Sequence, residues 1–125
     1  MSSIMVVDDV EDAGAMVQRI LERKGHSVDV FTEEEDALNH AREQDVNIAI
    51  LDIKLKKMSG VDLLKKIKEA RPDIEVLMLT GYPTLETARE AMGHGAREYL
   101  VKPIDKNELE EKVQSVLEDR GSADG

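Results

Sequence analysis

The sequence predicts an α/β fold, a parallel sheet with helices on both faces, and three observations predict it. Short apolar runs alternate with amphipathic stretches five times along the chain, the pattern of repeated strand–helix units. The runs around 4–7, 47–51 and 74–79 are apolar almost throughout instead of alternating, as in strands covered on both sides. Right-handed crossovers then place helices on both faces. The 125 residues suit one domain able to bury its own core.

Taken in order, Ile4-Met5-Val6-Val7 is the first strand and runs into Asp8-Asp9. Ala13, Met16, Val17, Ile20 and Leu21 recur at helical spacing. That helix ends at Gly25, after the basic Arg23-Lys24. Val28, Val30 and Phe31 mark a second, shorter strand. A helix over about 33–42 turns Ala37, Leu38 and Ala41 inward. Residues 47–51 form the third strand and lead into Asp52. After the polar loop 54–59 and Gly60, a helix carrying Leu63, Leu64, Ile67 and Ala70 stops before Pro72. The fourth strand, 74–79, leads into Thr80-Gly81. Pro83 is read as the first residue of the next helix, whose thin apolar face is Ala88, Ala91 and Met92 and which ends at Gly95. A fifth strand, 98–101, leads into Lys102-Pro103. Asp105 and Glu108 read as a capping box for a last helix with inner face Leu109, Val113, Val116 and Leu117. The domain is read as 1–120, with 121–125 a flexible tail or the start of a linker.

Composition narrows the function classes. Without cysteine, disulfides and thiolate metal sites are excluded. No apolar run reaches the roughly 18 residues of a membrane span, and the start has no basic region typical of a signal peptide. A cytoplasmic location is the default, with no membrane contact. The net charge of −10 repels phosphate backbones, so direct nucleic-acid binding by this chain is not expected. The loop Asp8-Asp9-Val10-Glu11-Asp12 is acidic and glycine-free, unlike a phosphate-cradling loop. His26, His40 and His94 show no metal-ligand spacing and read as structural or solvated.

The polar residues that interrupt the pattern all follow strands. In a parallel sheet those ends share one edge, where ligands bind. Asp8, Asp9, Asp52, Thr80 and Lys102 should therefore converge. Three close carboxylates need a compensating cation, and oxygen ligands suit Mg²⁺. Lys102 and the Thr80 hydroxyl can contact phosphoryl oxygens, and an Asp carboxylate can accept a phosphoryl group.

These residues resemble the response-regulator receiver domain of two-component signal transduction, over about residues 3–119. The matches are Asp8-Asp9, Asp52, Gly60 eight residues later, Thr80-Gly81, Lys102-Pro103, and Tyr99 three residues before the lysine. The resemblance implies a flavodoxin-like (βα)5 fold with strand order 2-1-3-4-5. It implies that Asp52 is the phosphoacceptor, and that Asp8, Asp9, Asp52 and the Lys54 backbone carbonyl hold Mg²⁺, or Mn²⁺ in its place. It implies phosphate binding by Thr80 and Lys102, a switch formed by Thr80 and Tyr99, and a cis Lys102–Pro103 peptide. The implied function is a signalling switch and not an enzyme on other substrates. A partner histidine kinase or phosphotransfer protein supplies the phosphoryl group. The surface of helix 4, strand 5 and helix 5 then changes, to control an effector domain or target, with slow autodephosphorylation. A phosphorylation-dependent homodimer is compatible with that surface. The stretch 79–103 looks closest to receivers joined to transcriptional regulators. The alternative reading is a degenerate receiver that acts as a phosphate-independent interaction module. A phosphohydrolase of similar fold would carry Asp-x-Asp after its first strand, which this chain lacks. One departure is Lys56, where the family usually has proline. It puts the rigidity of loop 54–59 in doubt, and leaves its lysines read as solvated, or as steering a phosphodonor or tuning hydrolysis.

Overall fold

The computed structural model describes residues 2–124, with side chains through Asp119. The elements are β1 (Ser3–Val7), α1 (Glu11–Glu22), β2 (Ser27–Phe31), α2 (Glu34–Glu43), β3 (Ile48–Leu51), α3 (Gly60–Ala70), β4 (Glu75–Thr80), α4 (Leu85–Gly93), β5 (Ala96–Val101) and α5 (Lys106–Asp124). All strands are parallel, as the sequence pattern predicts, in the order β2-β1-β3-β4-β5 that the resemblance implies. Among the described residues, no helix is long and apolar enough to cross a membrane.

The two-residue period of a strand sends successive side chains to opposite faces. Ile4 and Val6 of β1 join Ile48, Ile50, Leu77 and Leu79 in a core closed by α1 and α5. Met5 and Val7 join Ala49, Leu51, Val76 and Met78 in a core closed by α2, α3 and α4. Continuous apolar strands are thus explained by two cores sharing one sheet.

Three local expectations are corrected. The buried stripe of α1 is Gly14, Val17 and Leu21, while Met16 is 46% exposed. A Cβ at Gly14 would lie 2.6 Å from Val30 Cγ1, so the missing side chain lets this turn of α1 approach β2 and rotates the stripe. Met92 on α4 is likewise exposed, leaving Ala91 as the buried residue of that helix. Pro83 lies before α4 and does not open it. Thr84 is the N-cap, its hydroxyl accepting the Thr87 N–H at 3.0 Å, the role hydroxyl residues favour, so Pro83 precedes the cap.

At α5, Asp105 Oδ1 accepts the Asn107 N–H at 3.0 Å, so Asp105 supplies the capping half of the expected box. Leu109, Val113 and Val116 are buried. The α5 backbone continues past residue 120 to Asp124. Gly125 lies outside the described residues, as do the side chains of 120–124. His26, just beyond α1, is partly buried; burial holds its pKa below the ordinary value, and its Nδ1 is enclosed without a hydrogen bond.

Candidate functional site

The strand ends build the site. Parallel pairing sets Val7 beside Leu51, so the next residues, Asp8-Asp9 and Asp52, leave the sheet together. Backbone bonds fix both departures: Asp8 N–H donates to Phe31 O at 3.1 Å and Asp52 N–H to Val7 O at 3.0 Å. Likewise Thr80 pairs with Val101, and Lys102 N–H donates to Thr80 O at 2.8 Å. The Lys102–Pro103 peptide is cis.

Lys102 Nζ donates to Asp8 Oδ2 at 2.5 Å and to Asp52 Oδ2 at 3.0 Å. Both carboxylates are almost fully enclosed, at 4% and 6% exposure. Burial alone would lower the pKa of Lys102, but its hydrogen bonds to Asp8 and Asp52 and the charge of both carboxylates outweigh this. The net shift is upward, and the side chain stays an ammonium.

Asp9 is partly exposed and completes the set. Ligand oxygens of Asp8, Asp9 and Asp52 lie within 4.8 Å of one another. Three carboxylates face one ammonium, an uncompensated charge of about −2 if all are ionised. A divalent cation matches that deficit, and an all-oxygen donor set suits a hard ion. The residues present therefore fit a divalent metal.

Thr80 is fully buried, and its hydroxyl accepts the Tyr82 N–H at 3.1 Å. Lys54 N–H donates to Asp52 Oδ1 at 3.2 Å, and the Lys54 ammonium stands 4.4 Å from the centre of the Tyr82 ring. Lys54 thus spans the loops after β3 and β4 by a cation–π contact. Lys56 pairs with Glu33 at 3.6 Å. Tyr99 lies away from the carboxylates: its hydroxyl bonds Thr87 Oγ1 at 2.7 Å and accepts the Thr84 N–H at 3.4 Å.

Sequence reasoning missed two residues beside the site, Tyr82 and Glu34. No spacing distinguishes Tyr82 from an ordinary exposed aromatic. Glu34 left a signal: it stands at i relative to Ala37, Leu38 and Ala41 at i+3, i+4 and i+7, on the buried face of α2.

Comparison with known proteins agrees with this geometry. The family model described as the response regulator receiver domain matches residues 4–114. The transcriptional regulatory protein ZraR of Escherichia coli K12 is 36% identical over 121 residues, 97% of this chain and 27% of that protein. The chain thus spans about a quarter of the length of the curated relatives it matches. A CheY-like receiver domain protein from Methanospirillum hungatei JF-1 superposes with a TM-score of 0.95 at 31% identity, covering 98% of each chain. The beryllofluoride-activated NtrC4 receiver domain, solved as a dimer, gives a TM-score of 0.91 at 29% identity, covering 95% of this chain and 98% of that one. With the strand-end acidic cluster, the sheet order and a family match across nearly its whole length, the chain belongs to the response regulator receiver domain family of two-component systems.

Proposed function

We propose that this domain is a phosphorylation-activated switch that takes a phosphoryl group onto Asp52 in the presence of Mg²⁺. The observation that carries this is the enclosed Asp8–Lys102–Asp52 bridge with Asp9 beside it. Mg²⁺, held by the three carboxylates with the Lys54 carbonyl, would neutralise charge on the phosphoryl oxygens as the new bond forms. The protein's own part is placement. Asp52 Oδ1 is oriented by the Lys54 N–H, which leaves Oδ2, now bonded to Lys102, as the nucleophile. That oxygen attacks phosphorus, the donor's leaving group departs with the bonding pair, and the product is an aspartyl phosphate. Lys102 then transfers its bond from the carboxylate to a phosphoryl oxygen.

The Thr80 hydroxyl would exchange the Tyr82 amide for the phosphoryl group. The Tyr99 hydroxyl would leave Thr87 and Thr84, changing the surface of α4, β5 and α5. A histidine kinase or phosphotransfer protein is the proposed donor in the cytoplasm. An effector domain or target is the proposed reader, and a phosphorylation-dependent homodimer is supported by likeness to the activated NtrC4 receiver dimer. Hydrolysis of the adduct resets the switch slowly.

Intact mass after incubation with acetyl phosphate tests the proposal. The expected result is one added phosphoryl group that requires Mg²⁺ and disappears in Asp52→Asn. No adduct in the wild type, together with failure to form a beryllofluoride complex, would leave a phosphate-independent interaction module as the better account.

Asp9 supplies a second, independent prediction. Among the described residues no hydrogen bond or ion pair holds its carboxylate, and it faces two like charges. Asp9→Asn should stabilise the metal-free protein by about 1 kcal/mol. It should also weaken Mg²⁺ binding by roughly tenfold or more, since one charged ligand is lost. Urea denaturation with and without Mg²⁺ reads both: the wild type gains stability from Mg²⁺ by mass action, and the variant starts higher and gains less.

A further inference from the structure

The acceptor loop between β3 and α3 is closed at its base by its own backbone. Lys54 and Ser59 form an antiparallel bridge, and Gly60 N–H donates to Ile53 O at 2.6 Å. Its tip, 55–58, lies beyond these bonds. There the Lys57 N–H donates to Glu34 Oε1 at 3.2 Å, across 23 positions of sequence. Glu34 is the first residue of α2 and is 1% exposed, while its Oε2 is enclosed without a hydrogen-bond partner.

A carboxylate is rarely this buried unless it is compensated. Here it has the positive end of the α2 dipole and one loop amide. What the carboxylate adds is an acceptor for the loop amide, at the stretch where Lys56, unlike proline, leaves the backbone unrestricted. The neighbouring Lys56–Glu33 pair is exposed on both sides, so it is worth little.

We infer that Glu34 is a positioning residue for the acceptor loop: by anchoring Lys57 it fixes Lys54, whose amide orients Asp52, and so tunes how tightly the site holds a divalent cation. The inference rests on the reading of Asp52 as the acceptor, and deepens it by naming a control outside the strand-end cluster.

The test compares Glu34→Gln, which keeps an acceptor, with Glu34→Met, which keeps the volume but not the acceptor. Three quantities are measured: the exchange rate of the Lys57 amide, the Mg²⁺ affinity of the unphosphorylated protein by amide chemical shifts, and the melting temperature. In Glu34→Met the Lys57 amide should exchange faster and Mg²⁺ should bind about tenfold more weakly, the usual scale for groups that orient a metal's ligands. Glu34→Gln should stay within about twofold of the wild type. Should Glu34→Met not fold, Glu34→Asp breaks the same contact by one methylene of reach. A lowered melting temperature with Mg²⁺ affinity unmoved would overturn the inference and leave Glu34 a purely structural residue. Because Mg²⁺ affinity is read without phosphorylation, a wild type that binds Mg²⁺ but takes no phosphoryl group would sink the acceptor reading alone. A wild type that binds no Mg²⁺ would sink both.

Discussion

Gly60→Ala should cost about 4 kcal/mol or more, or abolish folding, because the added methyl group has nowhere to go. An ideal Cβ at Gly60 would lie 1.9 Å from the Asp52 carbonyl oxygen, 2.7 Å from its carbon and 2.9 Å from Ile53 Cα. All three are backbone atoms, so no side-chain rotation relieves the clash. Two effects oppose each other here. Gly60 opens α3, and helix propensity alone would make alanine better than glycine by up to about 1 kcal/mol. The overlap outweighs that gain, because the strand end carrying Asp52 would have to move. Gly93 provides the control: it lies in α4 with nothing within 4 Å of its Cβ position. Gly93→Ala should therefore be neutral or stabilising by up to about 1 kcal/mol. Paired urea melts decide the matter. Equal midpoints for the two variants would refute the close approach of α3 to Asp52.

Lys102→Met should slow phosphorylation by acetyl phosphate about a hundredfold at saturating Mg²⁺, the scale of losing one oriented donor to a developing oxyanion. Methionine retains most of the aliphatic stem while removing the charge. The loss in the metal-free protein should be about 2 kcal/mol. Asp8 and Asp52 are enclosed and lose their shared partner, but the lysine side chain is 25% exposed, which reduces the penalty. Mg²⁺ should recover most of this stability, since it replaces the missing positive charge. The pH dependence has a definite sign. The Lys102 pKa is raised from 10.5, so its contribution is fully present below that value and lost as pH rises through the higher folded value. The gap in stability between wild type and variant should be flat through neutral pH and close under strongly alkaline conditions. A gap that closed near neutrality would mean that Lys102 is not the compensating charge.

Much of this site was readable because its residues break a pattern. Asp8, Asp52, Thr80 and Lys102 each end an apolar run, and parallel pairing converts four strand ends into one cluster. The errors come from helices, where one turn of rotation is set by a neighbour and not by the helix's own periodicity. Met16 and Ala13 fit a helical stripe as well as Gly14 and Val17 do. Only the contact of Gly14 with Val30 across to β2 selects between them. Pro83 suits a helix start by its fixed φ, but the start is made by the Thr84 hydroxyl, which accepts the Thr87 N–H. Glu34 was hidden by its company: Glu33, Glu34 and Glu35 are alike in composition, and only the helical spacing to Ala37, Leu38 and Ala41 separates the buried one.

The strand order gives Lys102 another consequence. β5 is an edge strand, paired on one side only, with β4. Lys102, at its end, reaches over β4 and β3 to bond carboxylates that follow β3 and β1. The periphery of the sheet is thereby stitched to its centre at a single point. Fraying of β5 must break that stitch and leave three carboxylates facing one another, which penalises local opening beyond the loss of one strand's hydrogen bonds. Any ligand that draws Asp52 away from Lys102 loosens the stitch, so the breathing of the sheet's outer strand becomes a readout of what Asp52 is bonded to.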